Sequence, residues 1–480
     1  SGVIDDSGVT DVEVLSEDIL SFAQCQNLLD CLSDEHPDMR LGYLPMEYVK
    51  SSPYLLSFMD KYELKKRIVK AMQKSDVVQD CKTDTLLLTR FALNNYRPVS
   101  PAHGKLKYLH DLIFGERHEN RTQLLLWIPA SNPYYKAGGL FESKEARRFS
   151  KTILFSSWEM VPRMISVMMS YYAELYTFGE LKKQLPELRY FSQKKNRYGE
   201  TRLRNDSIME CPCIALAELY SPEAYYGWKL PDIKKEIKAK VKQLLQECPL
   251  TKSLPKRNRG NAKHILTMMH LLDGEKVEET DDLYIPSNAV DVMVDIAIAS
   301  PAVCAYRKSH DREDAKKVGK AIVSIFNKPE SAAVIDLIYH KNSDEDYYES
   351  VLDYCVKGNL QSVLDEYAHT QQTTLLGKTI EEAILGTSNL GVDTADTIYD
   401  DGNKLMMRCH FAIPFIDKTV TDKAMLRTTN IRKAFNSPFR PFILSTTSIG
   451  QEGLDFHLYA RKIVHWNLPS NPVDLEQREG

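Results

Sequence analysis

Three short strand-like runs, Lys151 to Ser157, Phe442 to Leu444 and Ile463 to Trp466, constrain this chain more than any other feature. Each is too short for a helix and rich in β-branched or aromatic residues, so each reads as a buried strand. The first is followed by Trp158 to Leu175, whose broad apolar stripe at helical spacing completes a strand-loop-helix unit of an α/β layer. The second runs into the hydroxyl cluster Ser445 to Ser448 and a turn carrying Gly450 and Gly453, where hydroxyls and backbone amides can face a phosphate. The third leads into Asn467 to Pro472 and then Leu475 to Gly480. The order is strand, phosphate-facing loop, strand, and a loop aimed at a ligand.

A fourth short run near Leu405 to Met407 places the resumption of this α/β layer near residue 400, after an opening near residue 100. The helix His103 to Phe114 and an apolar run from Leu124 to Ile128, read as a strand, belong to the opening part. About 220 residues lie between the two parts, and their patterning is helical: Asp232 to Leu245, Lys263 to Leu272, Val290 to Tyr306, Ala315 to Phe326 and Tyr347 to Glu366. With 480 residues the chain is long enough for two to four domains. The divisions expected are 1–100, a helical linker; 101–178, the first part of an α/β lobe; 179–402, a helical insertion; and 403–480, the second part of the lobe.

Hydrophobic residues at 43% and charged residues at 27% are globular values, excluding a disordered or fibrous class. The net charge of -4 gives no global attraction to a polyanion, so nucleic acid would have to be met by local basic patches. Two such clusters stand out, Lys194, Lys195 and Arg197 with Arg202 and Arg204, and Lys256, Arg257 and Arg259. The nine cysteines are odd in number and contain only one close pair, Cys211 and Cys213, which reads as reduced thiols in a cytoplasmic protein. The apolar stretch Ala289 to Tyr306 contains Asp291 and Asp295, so it reads as a buried helix rather than a membrane span.

At its carboxyl end the chain resembles the second RecA-like lobe of helicase superfamily two, and within it the Swi/Snf-type ATPases of the bacterial branch that includes the RNA-polymerase-recycling translocase. Ser445 to Phe456 matches motif V, Leu475 to Gly480 the opening of motif VI, and Lys151 to Trp158 motif IV. Arg427, Ile431, Phe435 and Asn436 resemble the helix before motif V, and Gly104, Lys105 and Leu106 the segment that opens the lobe. The resemblance covers roughly 100–175 and 400–480. It implies a RecA-like parallel-sheet lobe split by a large, mainly α-helical insertion and preceded by a helical linker.

The same resemblance implies roles. Thr446, Thr447 and Ser156 would hold the backbone of a tracked strand, Gly453 and Asp455 would lie against ATP and the first lobe, and Gln477 would reach the nucleotide. Arg478 is either catalytic or a salt-bridging residue that shapes the loop. The implied activity is ATP-driven movement on DNA, double-stranded in preference, or on RNA, with Mg held mainly by an N-terminal RecA-like lobe. The two arginines that end motif VI, which neutralise the transferring γ-phosphoryl, would lie beyond Gly480. Both ends of the chain are therefore expected to be cuts in a longer protein, and this segment alone is expected not to hydrolyse ATP. Large bacterial helicases with such insertions often serve defence or restriction systems.

Several motifs are set aside. Gly377-Lys378-Thr379 lacks the upstream glycine of a phosphate loop, because position 372 is Gln. Asp34-Glu35-His36 and Asp365-Glu366 read as helix ends rather than acidic metal boxes, and Cys211, Cys213, Cys248 and His264 lack the ligand spacing of structural zinc. Trp127, Trp158 and Trp466 read as core. The competing class is a non-catalytic interaction scaffold built on a degenerate helicase lobe.

Overall fold

The computed structural model describes residues 12, 14–39, 41, 50–60, 62–74, 85–101, 103–191, 197–203, 207–277, 283–339, 347–384, 388–399, 403–415, 422–447, 456–469 and 471–479. It is a mixed α/β structure with eight strands among those residues: β1 (Lys151–Phe155), β2 (Lys256–Arg257), β3 (Ile285–Pro286), β4 (Ser388–Val392), β5 (Leu405–Cys409), β6 (Ala412–Phe415), β7 (Ile443–Thr446) and β8 (Ala460–His465). Four of them form one sheet in the order β6-β7-β1-β8, and every pairing in it is parallel.

The alternation along these strands sends side chains to two different cores. Leu154, Ala412 and Ile443 face the main core, while Ile153, Phe155, Ile413, Phe415 and Leu444 face a smaller one closed by Ile431, Phe435 and Phe456. The helix Met160–Leu175 covers the first face and packs on β6 and β7. The helix Asp422–Phe435 covers the second. A sheet buried on both faces needs strands that are apolar throughout, and this is why the runs at β1 and β7 are visible in sequence.

Ser170 shows how the covering helix is fastened. Its hydroxyl accepts from the backbone N–H of Ala412 at 3.1 Å and Phe411 at 3.3 Å, capturing amides at the start of β6. Lys151, at the start of β1, is fully buried and donates to the carbonyls of Ala434 at 2.9 Å and Phe439 at 2.6 Å. Burial without a carboxylate partner drives its amine well below the ordinary lysine range.

Two expectations about strands are corrected by the structure. Leu405 to Met407 is a strand, yet it pairs antiparallel with β4 in a separate two-stranded sheet, and the fourth strand of the parallel sheet is Ala412–Phe415. Leu124 to Ile128 is buried but forms a 3-10 turn, Thr122–Leu124, and a single bridge from Trp127 to Phe439. An apolar run records burial, and burial alone does not distinguish a strand from an irregular segment pinned in the core.

The middle of the chain is helical, as its patterning predicts, with breaks that the periodicity does not reveal. Val290 to Tyr306 is two helices, Ala289–Ala299 and Pro301–Ser309, bent by 47° where Pro301 opens the second. No single helix among the described residues is long and apolar enough to cross a membrane. Tyr347 to Glu366 also divides, into Tyr347–Lys357 and Leu360–Thr370. Gly358 and Asn359 lie at the break: Asn359 has φ of 53°, and a Cβ on Gly358 would meet Trp127 Cζ2 at 2.7 Å. Trp127 needs the space that a side chain there would occupy.

The main core runs without interruption from the sheet into these helices. Where they meet, Arg408 grips Glu174 with two hydrogen bonds, Nε to Oε1 at 2.9 Å and Nη2 to Oε2 at 2.6 Å, and Tyr96 donates to the same carboxylate at 3.1 Å. Nearby, a cavity of about 30 Å³ is bounded by Lys328, Glu330, His410 and Arg440. Burial holds the His410 imidazole down at about 4, against the opposing pull of the Glu330 and Glu174 carboxylates.

Candidate functional site

In an open parallel sheet the carboxyl ends of the strands, with the loops that follow them, are where ligands are bound. Here that edge gathers Ser156 after β1, Thr446 and Thr447 at the end of β7, and Trp466 and Asn467 after β8. The ladder itself sets their spacing: Ser156 N–H donates to Thr446 O at 3.0 Å, and Trp466 N–H donates to Phe155 O at 2.9 Å.

The side chains knit the loops together. Ser156 Oγ donates to Asn467 Oδ1 at 3.0 Å and accepts from Trp158 N–H at 3.1 Å. Thr446 Oγ1 donates to the Thr447 carbonyl at 3.0 Å. Arg478 lies on the helix Pro472–Glu479, is 7% exposed, and donates through Nη1 to Asn467 O at 3.2 Å with its guanidinium 5.5 Å from the Phe155 ring. Gln477, its neighbour on the same helix, is exposed.

A second clamp comes from the segment that opens the α/β part of the chain. Lys105 Nζ donates to Trp466 O at 2.8 Å, and His103 stacks on the Trp466 indole at 5.9 Å with an interplanar angle of 8°. Trp466 Nε1 donates in turn to Ser51 O at 2.8 Å. Asn467 is thus held from three sides, by Ser156, by Arg478 and, through its neighbour, by Lys105. In sequence Asn467 only opens the segment Asn467 to Pro472; the fold alone brings it against Ser156 and Arg478.

The buried hydroxyl of Ser156 directs its proton to the loop after β8 and that of Thr446 to the adjoining Thr447 carbonyl, so both set the shape of this edge. Arg478 bonds to the backbone of the loop after β8, at the Asn467 carbonyl. Gln477 is exposed on the helix, as is Glu476. Gly453 and Asp455 lie outside the described residues, as do Gly450 and Ser448. Among the described residues no group of three or more His, Cys, Asp or Glu could hold a metal ion.

The second group of expected contacts lies elsewhere. Lys256, Arg257 and Arg259 are exposed on and beside the short strand β2, which pairs with β3. Arg259 is bonded to Glu349 at 2.6 Å and the Arg257 guanidinium sits 5.4 Å from the Tyr284 ring. These partners belong to the helical part of the chain, not to the parallel sheet. In the other basic cluster, Lys194, Lys195 and Arg204 lie outside the described residues, and Arg202 is buried in an ion pair with Asp336 at 2.9 Å and packed on Tyr347.

The motifs set aside have ordinary structural reasons. The amides of Leu376 and Gly377 donate to the Asp314 carboxylate at 3.0 and 2.8 Å, so an aspartate occupies the place a phosphate would take. Asp365 accepts from Tyr134 and Glu366 from Ser131, tying the helix Leu360–Thr370 to a loop. Cys213 Sγ lies 3.4 Å from Asp273 Oδ1, and burial drives its thiol far above the ordinary range.

Comparison with protein-family models, with curated proteins and with solved structures returns no match.

Proposed function

We propose that this chain is the second RecA-like lobe of an ATP-dependent nucleic-acid translocase or helicase, with its parallel sheet split by a helical insertion. The observation that carries the reading is the carboxyl edge of the sheet: the segments following β1, β7 and β8 are those of motifs IV, V and VI in the resemblance, and they meet at Ser156, which bonds to Thr446 O and to Asn467. In this reading the edge forms one wall of an ATP and nucleic-acid cleft. Gln477 reaches toward the nucleotide from its exposed position, Arg478 holds the loop, and the opposing lobe supplies Mg. Backbone amides at such an edge suit phosphate oxygens, which give affinity without base specificity.

The test is Gln477→Ala in a protein that carries both lobes. Nucleic-acid-stimulated ATP turnover is expected to fall by about tenfold or more, the effect of removing about 1.4 kcal/mol or more of transition-state stabilisation, with the circular dichroism spectrum unchanged. Unchanged turnover would remove Gln477 from the nucleotide site.

A non-catalytic scaffold is the second reading. It is favoured by the inward-turned hydroxyls of Ser156 and Thr446, and it predicts no ATP turnover with or without DNA.

A further inference from the structure

At the opposite edge of the sheet, where β7 and β8 begin, a groove of about 660 Å³ opens between four elements. Its walls are the end of the helix Asp422–Phe435, the 3-10 turn Phe456–Leu458, the last turn of Leu360–Thr370 and the helix Gly377–Ala383. The volume falls in the range of sites for small ligands, roughly 300–1,000 Å³.

Three properties of the lining select a ligand. First, the described lining includes two cations, Arg432 and Lys433, and the carboxylate of Glu382, which lies 2.8 Å from Lys433. Guanidinium and ammonium groups side by side suit the oxygens of a phosphate. Second, Asn436 Oδ1 is buried and has no hydrogen-bond partner. A buried acceptor in this state costs about 1–3 kcal/mol, a cost that a ligand N–H or O–H would offset. Third, Leu458 and the exposed imidazole of His457 give the groove a surface suited to the face of a planar ring.

Anionic oxygen, hydrogen-bond donor and planar ring together describe a nucleotide. We propose that this groove binds a nucleotide unit, its phosphate against Arg432 and Lys433 and a sugar hydroxyl or base amino group donating to Asn436. The groove is separated by the length of the sheet from the carboxyl edge, so it would hold either a free nucleotide or one unit of a strand that runs past that edge. The inference does not rest on the helicase reading, because none of its residues belongs to the carboxyl-edge set.

Isothermal titration of the purified chain with 5′-AMP, and separately with a ten-residue oligothymidylate, tests it. At least one of the two is expected to bind, and Arg432→Gln combined with His457→Ala is expected to weaken that binding about tenfold or more, as removal of a charge-assisted hydrogen bond does. Both substitutions are at positions open to solvent or half-buried, and circular dichroism verifies the fold. Binding of AMP alone identifies a free-nucleotide site; binding of the oligonucleotide, displaced by AMP, identifies a strand track. Charge reversal at Lys256, Arg257 and Arg259 is expected to leave AMP binding unchanged. No binding of either probe at millimolar concentration, or equal binding by the Arg432 and His457 variant, overturns the proposal. Neither result bears on Gln477 and ATP turnover, so the two readings fail separately.

Discussion

Glu174 is almost wholly enclosed, and its carboxylate accepts two bonds from Arg408 and one from Tyr96. Removing one side of such a pair leaves the other as an uncompensated buried charge, which costs roughly 3–5 kcal/mol. Glu174→Gln is therefore expected to destabilise the chain by about 3 kcal/mol in urea unfolding, and replacing Glu174 and Arg408 together with Leu and Met to recover most of it. A destabilisation under about 1 kcal/mol would mean that the pair is hydrated in solution. His410 sets a different test at the same scale. Its folded pKa, about 4, lies below the unfolded value near 6.5, so the unfolded state binds the extra proton between those values. Stability is then full above about pH 6.5 and declines as pH falls toward 4, by up to about 1.4 kcal/mol per pH unit. His410→Met is expected to remove that part of the decline, read as the difference between the two unfolding curves across about pH 4 to 7.

At the scale of elements, patterning reports where the chain is buried and roughly which period it follows, and it does not report what breaks the period. The helices Tyr347–Lys357 and Leu360–Thr370 carry one continuous apolar stripe in sequence, so they read as a single helix. Gly358 interrupts them because Trp127 and Phe141 approach within 3.0 Å of where its Cβ would be. Gly358→Ala is expected to cost about 1–3 kcal/mol, the range for overpacking a filled core, and to perturb the Trp127 fluorescence. A neutral substitution would show that the break has another cause. β6 is hidden in sequence for a related reason: Ala412 to Phe415 contains Pro414 and only four residues, and it follows β5 after two residues. The separation is made by Ser170, whose hydroxyl holds the amides of Phe411 and Ala412 and turns the chain into the parallel sheet.

For the whole molecule, the question is whether the helical part of the chain contributes to a polyanion surface. Lys256, Arg257 and Arg259 are exposed, but Arg259 already has Glu349 and Arg257 leans on Tyr284. If they meet phosphates, each adds about 0.9 to the slope of log affinity against log salt. Charge reversal of all three is expected to weaken binding to double-stranded DNA and to flatten that slope by about 0.9 for every phosphate left without its cation, measured by anisotropy between about 50 and 200 mM salt. An unaltered slope would assign the loop to solvent. Arg202 illustrates why charge in a sequence does not identify such a surface: it sits in a basic cluster, yet it is buried against Asp336, a residue 134 positions away.

The sequence by itself determined that this is an α/β protein with a helical middle. Apolar runs of about four or five residues can be satisfied only by strands or pinned segments inside a core, and helical periodicity survives whatever the helix packs against. It also marked the residues of the carboxyl edge, because Ser156, Thr446, Thr447 and Arg478 lie in or next to the motifs that follow the strands. The tertiary structure alone decided the strand order β6-β7-β1-β8, the place of Asn467 between two loops, the inward turn of the Ser156 and Thr446 hydroxyls, and the groove around Asn436. Most of these depend on which atoms come within hydrogen-bonding distance across hundreds of residues of separation. Local patterning carries burial and period; long-range contact carries who meets whom.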